Sequence, residues 1–231
     1  MGSKGASLAF YIDAPLQSWG VSSKFQRRAT ESYPTKSGVL GLVAAAMGID
    51  KHADDEAEQL KPLASCKFSV FSLQRTSRNH PVLQMEDYHT VGGGFDKDNP
   101  AERLHISRKA SGGPSTTIVT RRFYLEQARF VAILEGDQET LEKAAKALED
   151  PKWGVWFGRK CCLPSSPLLP TLSDSSEQAI AKILEKLVGS SVAEGQIEED
   201  GGGAWRLADQ PVSFGAREFA TRPAMKTNRS S

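Results

Sequence analysis

Apolar positions along this chain form runs, alternations and stripes, and each pattern predicts a different element. Residues 8–12 (LAFYI) and 130–134 (FVAIL) are short continuous apolar runs, which predicts buried strands. Residues 66–73 (CKFSVFSL) alternate apolar and polar side chains, the signature of a strand with one wet face. Residues 153–162 (WGVWFGRKCC) predict another strand, ending in a basic corner at Arg159 and Lys160. Leu141, Ala144, Ala145 and Leu148 stand at i, i+3, i+4 and i+7, so 137–148 predicts a helix with one buried stripe; 180–188 predicts a second amphipathic helix. Residues 50–63 are polar and acidic, which predicts a surface helix with Leu60 and Leu63 turned inward. Residues 205–219 predict a hairpin.

The stretch 33–48 (YPTKSGVLGLVAAAMG) stands apart. From Val39 to Met47 every residue is apolar or glycine, and a helix apolar on almost all faces belongs in a core. Pro34 presets a helical φ, Thr35 or Ser37 can cap the start, and Gly48 can end the helix. Lys36 is its one charge, at the end where unpaired N–H groups favour an anion. Lys36 and Ser37 are therefore candidate phosphate contacts. No glycine stands at the spacing of a phosphate-binding P-loop, which argues against a nucleoside triphosphatase.

The order strand, helix, strand, insertion, strand, helix, strand is that of an α+β, ferredoxin-like (RRM-like) βαββαβ body. The aromatic signature of RNA-recognition domains is absent. The insertion, about 74–129, is rich in Gly, Ser, Pro and basic residues, and predicts a β-hairpin thumb with a mobile tip near 92–113. The expected division is a body over 1–170, thumb included, and a C-terminal extension over 171–231 packed on the same domain. Within that extension, 196–203 predicts an acidic, glycine-rich loop and 222–231 a frayed basic tail.

Charge changes the picture locally. The total is +1, but from Arg103 to Arg129 the charges are Arg103, Arg108, Lys109, Arg121, Arg122 and Arg129 against Glu126 alone, with His105 among them. An arm of nearly one sign attracts a polyphosphate backbone. The loop after the first strand adds Gln17, Ser18, Trp19, Lys24, Arg27 and Arg28. Trp19, read alone, is either a core plug or a stacking platform; Tyr88 and His89 also offer planes for bases. The three cysteines, Cys66, Cys161 and Cys162, fit neither a disulfide framework nor a C-x-x-C zinc site. No metal and no cofactor are expected. The apolar runs fall short of a membrane span and the N-terminus lacks an apolar leader, so a cytoplasmic protein with no membrane partner is expected.

Four motifs in order carry a family likeness: Ala14-Pro15-Leu16-Gln17-Ser18-Trp19-Gly20, Pro34-Thr35-Lys36-Ser37-Gly38, Asp87-Tyr88-His89-Thr90-Val91, and Gly158-Arg159-Lys160-Cys161-Cys162. Together they resemble the CasD family, the handle-binding subunits of type I-E CRISPR Cascade. The likeness spans about 8–167 and is looser beyond. It implies a ferredoxin-like body with a hairpin thumb, and binding of the 5′ handle of the CRISPR RNA (crRNA). It implies contacts with a CasC-like backbone subunit and a CasA-like large subunit, an indirect meeting with target DNA, and no catalysis. Expected RNA contacts are Gln17, Ser18, Trp19, Lys24, Arg27, Arg28, Lys36, Ser37, Tyr88, His89, His105, Arg108, Lys109, Arg121, Arg159 and Lys160. The alternative is a metal-independent endoribonuclease that processes precursor crRNA, as in the type I-C sister family; Tyr88, His89, His105 and Lys109 supply the residue types. A third reading is an assembly protein whose basic arm packs on an acidic partner.

Overall fold

The computed structural model describes residues 5–20, 26–75, 83–91, 98–99, 118–187, 190–198 and 205–227. The expected mobile tip at 92–113 lies outside these residues apart from 98 and 99, as do Lys24, His105, Arg108 and Lys109.

Four antiparallel strands form the body. Strand β1 (Gly5–Asp13) lies between β7 (Arg129–Asp137) and the short β8 (Thr171–Ser173), and β7 pairs on its other side with β4 (Lys67–Arg75). Helices α1 (Lys36–Met47) and α2 (Glu56–Ala64) connect β1 to β4, and α3 (Gln138–Glu149) follows β7. This is the ferredoxin-like βαββαβ arrangement.

Both faces of the sheet are covered, which explains the continuous apolar runs. Leu8, Phe10 and Ile12 of β1 share a core with Phe68 and Val70 of β4, Phe130, Ala132 and Leu134 of β7, and the helices α1 and α3. The alternate residues Ala9, Tyr11, Phe71, Leu73, Val131 and Ile133 meet Ala179, Ile180 and Ile183 of α4 (Ser176–Lys186) on the opposite face. Helix α3 buries the predicted stripe Leu141, Ala144, Ala145 and Leu148, and Asp137 caps it by accepting from the Thr140 N–H at 2.9 Å. Thr35 caps α1, and Gly48 closes it with φ +75°.

Beyond β4 the sheet continues. β9 (Ser190–Glu198), β11 (Glu218–Thr227) and β10 (Trp205–Ser213) extend it to seven strands, in the order β10-β11-β9-β4-β7-β1-β8. The inserted hairpin is present as β5 (Leu83–Val91) against β6 (Ile118–Glu126), antiparallel from Leu83↔Glu126 to Val91↔Ile118. Two short strands, β2 (Leu16–Gln17) and β3 (Arg27–Arg28), complete a second sheet on β6.

Three expectations are corrected. Residues 153–162 form no strand. Phe157 and Cys162 turn inward, and Gly158 at φ +91° bends the chain so close to Ser18 that a Cβ would lie 1.7 Å from the Ser18 carbonyl oxygen. The fourth body strand is instead β8. The expected acidic loop begins in strand, since β9 runs to Glu198, and its remainder lies outside the described residues. The tail is not frayed from Arg222: β11 runs to Thr227 and Arg222 is buried. Among the described residues no helix is long and apolar enough to cross a membrane.

Candidate nucleic-acid interface

The mouth of α1 is already filled. Lys36 is fully buried, and its ammonium donates to the Cys66 carbonyl at 2.6 Å, inside the core. Its backbone N–H donates to Asp209 Oδ2 at 2.9 Å. Asp209 sits in an irregular stretch of β10, within the register shift between Leu207 and Gln210, and is held by Arg222 at 2.7 Å (Nε to Oδ1) and 3.1 Å (Nη2 to Oδ2). A helix N-terminus attracts an anion, and here the anion is the protein's own carboxylate. Lys36 is thus corrected from a phosphate contact to an interior residue.

Gln17 and Trp19 are likewise framework. The Gln17 amide donates to the Ala128 carbonyl at 2.6 Å and accepts from the Trp19 indole N–H at 3.0 Å. The Trp19 ring fills the space between Phe157, with ring centroids 6.0 Å apart, and Gly38, where a Cβ would come within 2.8 Å of it. Trp19 is the core plug, not a stacking platform.

What they frame is a cleft of about 580 Å³. Its floor is Ser18–Gly20 with Thr35, Ser37 and Gly38 at the start of α1. One wall carries Arg28, Ala29, Gly158 and Arg159, and the other is the turn between β10 and β11, with Phe214, Arg217 and Phe219. Arg159 is placed by geometry that only glycine before it permits. Its Nη1 donates to the Phe123 carbonyl at 3.2 Å and its Nη2 to the Arg28 carbonyl at 2.9 Å, with the guanidinium 4.6 Å from the Tyr124 ring centroid. Burial raises the Tyr124 phenol pKa, and the Arg159 guanidinium beside it pulls the other way. Burial also pushes the Cys162 thiol up to about 12, with the neighbouring Cys161 adding to the effect. Among the described residues no carboxylate lines the cleft, and none pairs with Arg28, Arg159 or Arg217.

Of the sequence-predicted residues, Ser18, Arg28, Ser37 and Arg159 therefore converge. Arg27 is adjacent on β3, with its guanidinium 4.7 Å over the Phe123 ring. Arg121 is on β6, paired with Glu86 at 3.1 Å, and lies opposite the exposed Tyr88 in the hairpin register. Lys160 lies 5.6 Å from the Trp156 ring, outside the cleft lining. His89 Nδ1 is 3.7 Å from Asp87 Oδ2. Tyr88 and His89 are consecutive in β5, so their side chains leave opposite faces of the hairpin and do not share a site. No group of three His, Cys, Asp or Glu able to hold a metal occurs among the described residues. Arg217 and Phe219 also line the cleft and are not among the sequence-predicted residues; their signal is the aromatic-basic-aromatic spacing of Phe214, Arg217 and Phe219.

A model of the family described as CRISPR-associated protein (Cas_Cas5) matches residues 7–224. The CRISPR system Cascade subunit CasD of Escherichia coli (strain K12) is 28% identical over 221 residues, covering 93% of this chain and 92% of that protein. A chain in the solved structure "CRISPR RNA-guided surveillance complex" superposes with a TM-score of 0.69 at 28% identity, covering 96% of this chain and 89% of the other. The structure "Crystal structure of Cas protein" gives 0.64 at 29% identity, covering 96% and 94%.

Proposed function

The chain belongs to the Cas5 family of CRISPR-associated proteins, and on that premise we propose that it is the subunit that holds the 5′ handle of a crRNA. It acts by binding and not by cutting, and it joins a CasC-like backbone subunit and a CasA-like large subunit of a type I-E Cascade, meeting target DNA through that assembly. The observation that carries this reading is that three arginines, Arg28, Arg159 and Arg217, line one cleft, with no carboxylate among its described lining residues. Such a cleft holds a phosphate chain, and the Ser37 hydroxyl on its floor can read a base edge, while the buried Ser18 hydroxyl donates to the Phe123 carbonyl at 3.2 Å and serves the framework. The basic hairpin approaches from β6, which carries Arg121 and Arg122 and pairs with β3 next to the cleft. Repeat-derived RNA bearing the handle, incubated with the purified chain without metal, tests the reading. Retention on a filter with no cleavage product supports it. Cleavage at the repeat would favour the ribonuclease, and no retention at low salt would favour an assembly role.

A further inference from the structure

The turn joining β10 to β11 is built with more rigidity than a surface hairpin needs. The Glu56 carboxylate, buried at the start of α2, accepts from the Ser213 hydroxyl at 2.6 Å and from the Phe214 N–H at 2.8 Å. Gly215 passes so close to the Lys51 carbonyl that a Cβ would lie 2.0 Å from its oxygen. Phe214 packs its ring over Gly41 of α1 and meets Phe219 edge-on, at 6.2 Å and 65°. Arg217 holds a left-handed φ of +56°, a conformation that glycine adopts without strain and arginine does not. The result is an aromatic ring, braced from behind yet 41% exposed, in a cleft whose charged lining is all arginine.

We propose that Phe219 is a stacking platform for one unpaired base of the bound RNA, and that Arg217 beside it takes the adjoining phosphate. This rests on the handle-binding reading above. Two features favour an RNA segment as the occupant. The guanidiniums call for an anionic chain, and the braced ring calls for a flat partner; single-stranded RNA is both. The tip is fixed before RNA arrives, so binding orders little of the protein. Glu56 is then a positioning residue that acts through the turn, not a contact.

The test uses the full chain and a fluorescent handle RNA, together with versions of that RNA lacking one base at each position in turn. Phe219→Ala is expected to weaken binding of the intact RNA about tenfold, a typical loss for one base–aromatic stack. Phe219→Trp is expected to retain affinity. At one position, removing the base should cost the parent the same factor and cost Phe219→Ala nothing more. Arg217→Ala should weaken every RNA version alike. Phe219→Ala gives up the contact with Phe214, so its melt is expected to fall by a few degrees, while Phe219→Trp keeps the contact and should melt with the parent; binding is read well below either melt. If the parent binds and Phe219→Ala binds equally well, the platform is overturned and the handle reading survives. If Phe219→Ala instead loses capture of a neighbouring subunit while keeping RNA affinity, the tip is a protein contact and the platform is again overturned. If the parent binds no handle RNA, the functional reading falls and the platform with it.

Discussion

Lys36 shows how a single charge misleads when only its neighbours in sequence are visible. At the start of an apolar helix it reads as an exit to solvent, but its ammonium reaches across the core to the Cys66 carbonyl, thirty residues away in sequence. The burial of a lysine is costly unless its ammonium is satisfied, and the carbonyl supplies that partner. Lys36→Ala removes a large buried side chain and that bond together. It is expected to cost roughly 2–4 kcal/mol, a fall in melting temperature on the order of 5–10 °C, while affinity for handle RNA at 20 °C stays within about twofold of the parent. Thermal melts and filter binding on the same samples check this. An unchanged melt would put the side chain outside the core. The pair Asp209 and Arg222 was illegible for a related reason. The two residues meet only once β10 and β11 are in register, and the irregularity around Asp209 is what aims its carboxylate at α1.

At the scale of elements, legibility followed periodicity. Helix α3 was readable because four apolar positions repeat at helical spacing, and β1 and β7 because helices cover both faces of the sheet. Strand β8 was not, since three residues carry no period, and the apolar residues of 153–162 imitated a strand although they plug the core from a turn. That turn also supplies two residues of the cleft lining, Gly158 and Arg159. Its hydrogen bonds run from the Phe157 N–H to the Cys162 carbonyl at 2.8 Å and from the Ser18 N–H to the Phe157 carbonyl at 3.1 Å, and they aim Arg159 into the cleft. Gly158→Ala would force a Cβ onto the Ser18 carbonyl at a φ of +91°. It is expected to lower stability by about 2 kcal/mol or more and to weaken RNA binding as Arg159→Ala does. Urea midpoints and binding curves read the two effects separately. A variant with the parent's midpoint and affinity would show that the turn tolerates a side chain and does not place Arg159. The β10–β11 turn is the other half of the site. The sequence marks it as a hairpin, but its place opposite Arg28 and Arg159 follows from the extension of the sheet through β9, which no local pattern reveals.

The whole molecule has a net charge of only +1, so long-range attraction for RNA is weak and affinity must come from cations placed at short range. Twenty-nine basic and 28 acidic residues nearly cancel, yet among the described residues the cleft lining holds three arginines and no acid. The seven-stranded sheet makes this possible by joining the N-terminal loop, the start of α1 and the C-terminal hairpin around one opening. The central claim is that these guanidiniums touch phosphates of a single-stranded handle, and the salt dependence of binding addresses it most directly. For single strands the logarithm of affinity falls by about 0.7 per phosphate contact for each unit of the logarithm of salt concentration. The parent is expected to show a linear fall with a slope of about −2 or steeper. Arg28→Ala, an exposed change that leaves the backbone carbonyl holding Arg159 in place, is expected to make that slope shallower by about 0.7. A parent slope near zero, or an Arg28→Ala slope equal to the parent's, would contradict the claim.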